Sequence, residues 1–224
     1  MKHLMIRNIF TAALVLLAFI PQAKSQPPIV VELFTSMLCP ACPPADQTLL
    51  DLSQKENIIV LGCHVSYMNN ARFKDTLSQE FCDIRQHGYV GLTKERRIYT
   101  PLMIVNGEHL FIGSDNEKLE TALKSTENAP VQTIQIEVKD GDIIQFILPK
   151  TIYGSYRLWA FSYMNTRETA KYINPATSYT NLGAWQGFSL TKSFKKPDEP
   201  LDGIIILAQE NGYEKIIAAG KFEF

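Results

Sequence analysis

Hydrophobic and polar positions in the first half of the chain alternate between the period of a strand and that of a helix. Two continuous apolar runs, residues 29–34 and 58–65, predict buried strands, and Glu32 is the one charge in the first run. Between them, residues 43–55 place alanine and leucine at helical spacing, which predicts a helix. Apolar residues at i, i+4 and i+7 predict a second, amphipathic helix over residues 75–87.

A hairpin signal follows, and then a third helix. The apolar runs 102–105 and 109–112 flank Asn106-Gly107, a residue pair typical of type I′ turns. The pattern Ser-x-x-Glu that starts at Ser114 is that of a capping box, so we expect the third helix to begin there. The order of these elements predicts an α/β domain over residues 26–128.

Beyond residue 128 the pattern changes to the period of two that is typical of strands. Residues 131–138 alternate between polar and apolar, and Asp140-Gly141 follows as a turn. Further apolar runs lie at residues 143–148, 156–164, 204–207 and 215–219. Residues 172–187 lack a clear period, so we expect a long loop there. The simplest architecture for this pattern is an antiparallel, sandwich-like all-β domain over residues 129–224.

The N-terminal residues have the pattern of a secretory signal peptide. A basic start precedes an apolar stretch at residues 9–20, and the small residues Ala23 and Ser25 suit a cleavage site. That stretch is shorter than the ~20 residues that a membrane span needs. We therefore expect removal of residues 1–25, no membrane span in the rest of the chain, and secretion, in a bacterium to the periplasm.

The net charge of the chain limits the kinds of partner that we expect it to bind. Without residues 1–25 the chain carries 19 Lys and Arg against 23 Asp and Glu, a net charge of −4. This balance offers no overall attraction for nucleic acid or an anionic membrane, and we expect neither as a partner. All four cysteines lie in the remaining chain, and export would allow them to form disulfides.

The segment Cys39-Pro40-Ala41-Cys42 is the strongest candidate for chemistry, because it lies between the first predicted strand and the first predicted helix. A Cys-x-x-Cys at such a junction can open and close a disulfide, while the helix N-terminus favours the thiolate. We expect Cys39 to be the attacking sulfur, stabilised by unpaired N–H groups at the helix start. Cys42, one turn inside the helix, would be the resolving sulfur. A permanent structural disulfide and half of a metal site are the alternatives.

The order of elements, the dithiol and Thr100-Pro101 before the hairpin together resemble the thioredoxin fold. This resemblance implies a thioredoxin-like domain over residues 26–128, in which Pro101 is cis and lies against the dithiol. Most of the chain also resembles a secreted thioredoxin-like family known as domain of unknown function 1223, which has no assigned substrate. The residues that carry this second resemblance are Val31-Glu32-Leu33-Phe34-Thr35-Ser36, Cys42-Pro43-Pro44-Ala45-Asp46, His64-Val65, Tyr99-Thr100-Pro101, Val105-Asn106-Gly107, Gly113-Ser114-Asp115 and Leu182-Gly183-Ala184-Trp185-Gln186-Gly187.

Glu32 acquires a role from the resemblance to thioredoxin. Thioredoxin-like proteins often bury an acid beneath the resolving cysteine, usually six residues before the first cysteine of the motif, whereas Glu32 lies seven before Cys39. The resemblance implies that Glu32 takes the proton from Cys42 during exchange. The alternative is that Glu32 faces solvent or pairs with a base.

Cys63 and Cys82 are left to pair with each other if Cys39 and Cys42 are joined, which proximity favours among the three pairings of four cysteines. Closing that loop would stabilise the fold by roughly 3 kcal/mol in the chain-entropy model. A second redox pair and two free thiols are the alternatives. His64 beside Cys63 suggests a metal ligand, but neighbouring residues of a strand face opposite sides, so we expect no metal and no cofactor.

Together these features predict a secreted thiol-disulfide oxidoreductase that acts on protein thiols or disulfides, in either direction. Its site would consist of Cys39, Cys42, Pro101 and Glu32. The alternative is a non-catalytic envelope-binding module whose cysteines form structural disulfides. Aromatic residues of the second domain would then supply the binding surface, namely Tyr153, Tyr156, Trp159, Tyr163, Tyr172, Tyr179 and Trp185.

Overall fold

The computed structural model describes residues 26–94, 96–165 and 171–224. Within these ranges the chain is a mixed α/β protein with three sheets, and strands outnumber helices. The α-helices are α1 (Pro43–Leu52), α2 (Glu80–Gly91) and α3 (Asn116–Ser125), the last followed by a 3-10 turn at Thr126–Asn128. The strands are β1 (Ile29–Thr35), β2 (Ile58–His64), β3 (Leu102–Val105), β4 (His109–Ile112), β5 (Gln132–Thr133), β6 (Gln135–Lys139), β7 (Ile143–Leu148), β8 (Tyr156–Tyr163), β9 (Ala176–Trp185), β10 (Leu190–Lys195), β11 (Gly203–Glu210) and β12 (Ile216–Glu223). The predicted signal peptide, residues 1–25, lies outside the described residues.

The four-stranded sheet has the order β2-β1-β3-β4, with β1 and β2 parallel and the other pairs antiparallel. On one face, Leu33 of β1, Leu49 of α1 and Leu119 of α3 share a hydrophobic cluster, so α1 and α3 cover this face. The predicted β3–β4 hairpin is confirmed. Asn106 and Gly107 at its turn have φ of 49° and 74°, the positive values that a type I′ turn requires.

The other two sheets lie on the opposite side of the four-stranded sheet. Their strand orders are β5-β12-β11-β8-β9 and β10-β7-β6. Phe34 of β1, Phe161 of β8 and Leu207 of β11 share a cluster with residues of α2, so the five-stranded sheet and α2 cover this second face. Phe146 of β7 and Ile206 of β11 belong to a third cluster, which joins the five-stranded sheet to the three-stranded one. The apolar runs of β1 and β2 are continuous because both faces of their sheet are covered.

The predicted bounds of the second helix were wrong, since α2 begins at Glu80 rather than at Asp75. Asp75 is buried in the loop before the helix, where its carboxylate accepts hydrogen bonds from backbone N–H groups. The predicted buried face was also wrong, because Ile84, the i+7 residue of the apolar spacing that predicted this helix, is 59% exposed. The residues of α2 that are buried are Cys82, Arg85, Gln86, Tyr89 and Val90. A buried face with polar members has no hydrophobic period that marks it in the sequence.

The prediction of a long loop over residues 172–187 was wrong, because these residues contain β9. β9 is an edge strand of the five-stranded sheet, and its pairing with β8 is irregular at two places. These irregularities break the alternation of side chains, and most residues of β9 are exposed or half-buried. β10, on the edge of the three-stranded sheet, has no buried residue and was likewise not predicted.

Two smaller predictions were also wrong. The single strand expected over residues 131–138 is divided at the buried Ile134, so β5 pairs in parallel with β12 and β6 pairs with β7. The strands after residue 128 are therefore not all antiparallel. Asp115 rather than Ser114 caps α3, because its carboxylate accepts the N–H of Lys118 at 3.1 Å.

Candidate functional site

The Cys-x-x-Cys segment forms a tight loop between β1 and α1. The N–H of Cys39 donates to the Ser36 carbonyl at 3.1 Å, and the N–H of Cys42 donates to the Cys39 carbonyl at 3.2 Å. The two cysteines form a disulfide with their Cα atoms 5.4 Å apart. Cys39 is 5% exposed and Cys42 is fully buried, while Pro40 and Ala41 between them are exposed. Of the two cysteines, Cys39 is therefore the one that keeps some exposure to solvent.

The start of α1 differs from the prediction in its hydrogen bonding. Cys42 is the N-cap residue rather than a residue one turn inside the helix. Pro43 and Pro44 have no N–H, and the N–H groups of Ala45 and Asp46 both donate to the Cys42 carbonyl, at 2.9 and 3.0 Å. The unpaired N–H groups expected in this turn are thus absent from residues 43–46. The helix dipole remains as the favourable contribution of α1 to a thiolate.

Pro101 lines the same groove as Ala41 of the Cys-x-x-Cys loop. The Thr100–Pro101 peptide bond is cis, as the resemblance implied. Gly113 lies between Pro101 and α1, since a Cβ at residue 113 would be 3.2 Å from the Cβ of Pro101 and 2.9 Å from that of Ala45. Gly113 also donates its N–H to the Pro101 carbonyl at 2.9 Å. The missing side chain lets Pro101 and α1 approach each other, a role that the sequence analysis did not assign to Gly113.

Glu32 is fully buried and takes part in a network of polar side chains. Its carboxylate accepts two hydrogen bonds from Arg85, at 2.5 and 2.8 Å, and one from the Tyr89 hydroxyl at 2.5 Å. Gln209 of β11 donates to the Tyr89 hydroxyl at 2.8 Å. Burial raises the pKa of Tyr89 well above its usual value, so this hydroxyl stays a donor at any physiological pH. The network thus joins β1, α2 and β11.

The position of Glu32 on β1 explains why it has these partners. Successive side chains of a strand point to opposite faces. Leu33 lies in the cluster with α1, so its neighbour Glu32 faces α2 and β11. The alternative expectation, that Glu32 pairs with a base, is therefore the one that the structure bears out. An acid seven residues before Cys39 instead of six lies on the face away from the helix that carries the dithiol.

Asp46 is a second buried acid, which the sequence analysis did not single out. It follows Cys42 by four residues, so the two share one face of the start of α1, and Asp46 is only 7% exposed. The Thr35 hydroxyl donates to its carboxylate at 2.8 Å. Burial raises the pKa of Asp46, although the hydrogen bond from Thr35 and the charge of His64 act in the opposite direction. The four-residue spacing from Cys42 is visible in the sequence and was the signal that could have identified it.

Asp75 fixes the loop that leads to Cys39. One oxygen of its carboxylate accepts the N–H of Met37 at 2.8 Å and lies 2.8 Å from Nδ1 of His64. The other oxygen accepts the N–H of Leu77 at 2.9 Å. Burial alone would raise the pKa of Asp75, but the interaction with His64 and these backbone hydrogen bonds outweigh it, so the pKa lies below its usual value. Ionised Asp75 therefore connects the Cys39 loop to β2.

Cys63 of β2 and Cys82 of α2 form the second disulfide, which confirms the predicted pairing. Both residues are fully buried, in the hydrophobic cluster between the four-stranded and five-stranded sheets. A partner protein cannot reach either sulfur while the protein is folded. This position favours a structural brace between β2 and α2 over a second redox pair.

The histidines have local partners. His64 interacts with Asp75, and the rings of His64 and Tyr172 are in edge contact with centroids 4.8 Å apart. His109 lies 2.8 Å from the Ser125 hydroxyl. Among residues 26–94, 96–165 and 171–224, no group of three or more His, Cys, Asp and Glu side chains is arranged to hold a metal ion.

The aromatic residues considered for a binding surface are mostly internal. Trp159 is half-buried, and the buried members are Tyr156, Tyr163, Tyr172 and Trp185. Tyr153 is 74% exposed and its ring contacts that of Phe188, whereas Tyr179 lies against Phe81 and Phe161. The aromatic content of this part of the chain therefore serves the core more than a surface.

The fold and the site together define a class of protein: a three-sheet α/β protein with one Cys-x-x-Cys disulfide at its edge and a second disulfide in its core. The family is more specific than the class. The chain belongs to the family described as proteins of unknown function, DUF1223, whose model matches residues 30–209, and the predicted membership is confirmed. No helix in the described part of the chain is long and apolar enough to cross a membrane.

The solved structures that are similar to this chain include two that match about nine-tenths of it. One is the crystal structure of a protein from Agrobacterium tumefaciens, which is 24% identical, with 90% of this chain and 96% of that chain covered and a TM-score of 0.79. The other is HBP35 of Porphyromonas gingivalis, which is 15% identical, with 91% and 77% covered and a TM-score of 0.59. At these identities the likeness concerns the fold alone. No curated protein sequence matches the chain.

Proposed function

We propose that this protein is an exported thiol-disulfide oxidoreductase, with a thioredoxin-like domain at residues 26–128 and a sandwich-like β domain at residues 129–224. The observation that carries the proposal is the asymmetry of the Cys39–Cys42 disulfide, in which Cys39 is 5% exposed beside the two exposed residues of the loop and Cys42 is fully buried. Exchange requires one sulfur that a partner can attack and a second that is protected until the mixed disulfide has formed.

The surroundings of the disulfide support the thioredoxin-like assignment. The order β1-α1-β2-α2-β3-β4-α3 is the one expected from the resemblance, and the dithiol lies between its first strand and first helix. Pro101 comes within reach of the start of α1 through the gap left by Gly113. Export is inferred from the pattern of residues 1–25 and fits a protein with two disulfides.

The reaction consists of two displacements at sulfur. In the reducing direction the Cys39 thiolate attacks a partner disulfide, forms a bond to one partner sulfur and releases the other as a thiolate. The Cys42 thiolate then attacks the Cys39 sulfur, which forms the Cys39–Cys42 bond, breaks the mixed disulfide and releases the second partner thiolate. Two electrons pass from the dithiol to the partner disulfide, and the reverse sequence oxidises a partner dithiol.

Asp46 rather than Glu32 is the acid that we assign as acceptor of the Cys42 proton. The Cys42 thiol is buried, so its proton needs an acceptor within the protein before the second displacement. Asp46 shares the helix face of Cys42, and its raised pKa brings its affinity for a proton closer to that of a thiol. Glu32, by contrast, is held in an ion pair with Arg85 on the other face of β1.

The test uses two variants of the dithiol and a control at the buried pair. Cys39→Ser should reduce the rate of exchange with a model protein disulfide to the uncatalysed level. Cys42→Ala should still react once, and the partner should stay linked to Cys39, where mass spectrometry can identify it. The control Cys63→Ala/Cys82→Ala should keep exchange activity in its folded fraction. An unchanged rate in Cys39→Ser, or a Cys39–Cys42 reduction potential below about −300 mV, would favour a structural disulfide instead.

A further inference from the structure

A groove of about 680 Å³ lies beside the Cys-x-x-Cys loop, lined by Ala41 of that loop and by Pro101. Its apolar lining comprises Val90, Leu102, Leu110, Phe111 and Ile112. The volume lies in the range of sites that hold a small ligand or a short stretch of peptide. Since Ala41 is in the disulfide loop, whatever occupies this groove lies beside that loop.

Among the described residues that line the groove, the charged ones are all cations, namely Lys94, Arg97 and Lys118. Nζ of Lys118 forms an ion pair with the carboxylate of Asp115 at 3.4 Å, and Asp115 also caps α3. Lys94 and Arg97 are exposed, and neither forms an ion pair with another residue in the described part of the chain. Glu95, which follows Lys94 in the sequence, lies outside that part. The chain after residue 25 has a net charge of −4. The lining of this groove therefore has the opposite charge to the protein taken as a whole.

The groove also follows the open edge of a sheet. β4 is the last strand in the order β2-β1-β3-β4, and three of its four residues line the groove. An edge strand has N–H and C=O groups without partners in its own sheet, which an extended peptide can pair with. The shape and the backbone chemistry therefore suit an extended chain, and the cations select its charge.

We propose that this groove binds an extended, acidic segment of the partner polypeptide, adjacent in sequence to the cysteine that reacts with Cys39. The inference rests on the proposed function, since it names the substrate class of the same site. Carboxylates of the segment would lie against Lys94 and Arg97, and an apolar residue would occupy the space over Phe111 and Ile112. Complementary charge would raise the rate of encounter and set the preference among partners.

The experiment compares three synthetic peptides that differ only in charge. Each contains one cysteine in a disulfide with a chromophoric thiol, followed by a segment with two Glu, two Gln or two Lys. The second-order rate constant for reaction with the reduced protein is measured at low and at high salt. We expect the Glu peptide to react about tenfold faster than the Lys peptide at low salt, with a smaller difference at high salt.

Two double variants locate the effect. Lys94→Ser/Arg97→Ser should abolish the preference for the Glu peptide. Lys55→Ser/Lys150→Ser removes the same charge from exposed positions outside the groove and should keep the preference. Binding of the same peptides with serine in place of cysteine, followed by fluorescence anisotropy, gives a readout that needs no exchange.

The outcomes separate the two proposals. Exchange at equal rates with all three peptides would overturn the acidic-segment inference and leave the oxidoreductase standing. Binding of the acidic serine peptide without exchange of any cysteine peptide would overturn the oxidoreductase and leave the groove assignment standing. If Lys94→Ser/Arg97→Ser slows reaction with glutathione disulfide as much as with the Glu peptide, the groove recognises a small acidic disulfide and the polypeptide inference fails.

Discussion

Replacing Glu32 with glutamine separates a role in stability from a role in exchange. The change keeps the shape of the side chain and removes its charge. Arg85 is 4% exposed, and Glu32 is the carboxylate that pairs with it, so in Glu32→Gln its charge is buried without a counterion. Two charge-assisted hydrogen bonds from Arg85 and one from Tyr89 lose their charged acceptor.

The expected loss is large because the whole pair lies in the interior. Removing one partner of a buried ion pair typically costs about 3–5 kcal/mol. In a chain of about this size each kcal/mol lowers Tm by roughly 2–4 °C, so Glu32→Gln should melt roughly 6–20 °C lower. The double variant Glu32→Gln/Arg85→Met leaves no unpaired charge. In the parent protein the guanidinium carbon of Arg85 lies 4.7 Å from the centroid of the Phe161 ring, and methionine would fill part of that space. The double variant should therefore be more stable than Glu32→Gln.

Thermal and urea unfolding of the oxidised proteins measure these differences. Tyr89→Phe is the matched control, since it removes one hydrogen bond of Glu32 without stranding a charge and should cost about 1–3 kcal/mol. Well below its Tm, Glu32→Gln should exchange disulfides with the pH dependence of the parent. A variant as stable as the parent would refute the energetic reasoning. A folded Glu32→Gln that has lost this pH dependence would restore Glu32 as the proton acceptor.

Four further changes test other parts of the structure. Asp46→Asn should leave the first attack on a partner disulfide unchanged and slow resolution of the mixed disulfide by at least tenfold, measured by stopped flow; equal slowing of both steps would contradict its role. Cys63→Ala/Cys82→Ala should lower the free energy of unfolding by about 3 kcal/mol in urea, and a loss of activity in the folded protein would indicate a redox relay instead. Asp75 has a lowered pKa, so its stabilising contribution is present above its unfolded pKa of about 3.9 and is lost as pH falls through the lower folded value. Asp75→Asn should thus be less stable at pH 7 but lose less on acidification below pH 4, and parallel acid-unfolding curves would refute this. Gly113→Ala should cost about 1–3 kcal/mol, because its Cβ would lie 2.9 Å from that of Ala45, and an unchanged urea midpoint would show that the contact relaxes freely.

Strands and helices that are buried through apolar side chains were predicted well from the sequence. β1 and β2 lie in the interior of the protein, so their apolar runs are continuous and their bounds were predicted to within one residue. α2 was misplaced because its buried face includes Arg85 and Gln86, whose partners lie far away in the sequence. When polar residues of a helix are buried through hydrogen bonds, the buried face has no hydrophobic period from which it could be predicted.

The site was predicted in part, for a similar reason. The cysteine pairing that proximity favoured is the one that forms, and the cis bond at Pro101 is the one that the resemblance to the thioredoxin fold implied. Asp46 was missed because an acid in the first turn of a helix is ordinarily explained by the helix dipole and by exposure to solvent. Its burial depends on Thr35 at the end of β1, a contact that the sequence separates by eleven positions.

Side chains alternate along β1, so the helix that carries the Cys39–Cys42 disulfide lies on one face of the strand. The hydrogen-bond network of Glu32, which joins β1 to β11, lies on the other face. Leu33 faces α1 and lies close to Gly113, so this face supports the helix that begins after Cys42. Glu32 faces the other way and, through Arg85, reaches Gln209 of β11. Under the proposed function, opening the Cys39–Cys42 bond would rearrange atoms at the start of α1, on the side of the sheet away from the ion pair. A strand covered on both faces can in this way carry a reactive loop at its end without exposing the buried charge beside it.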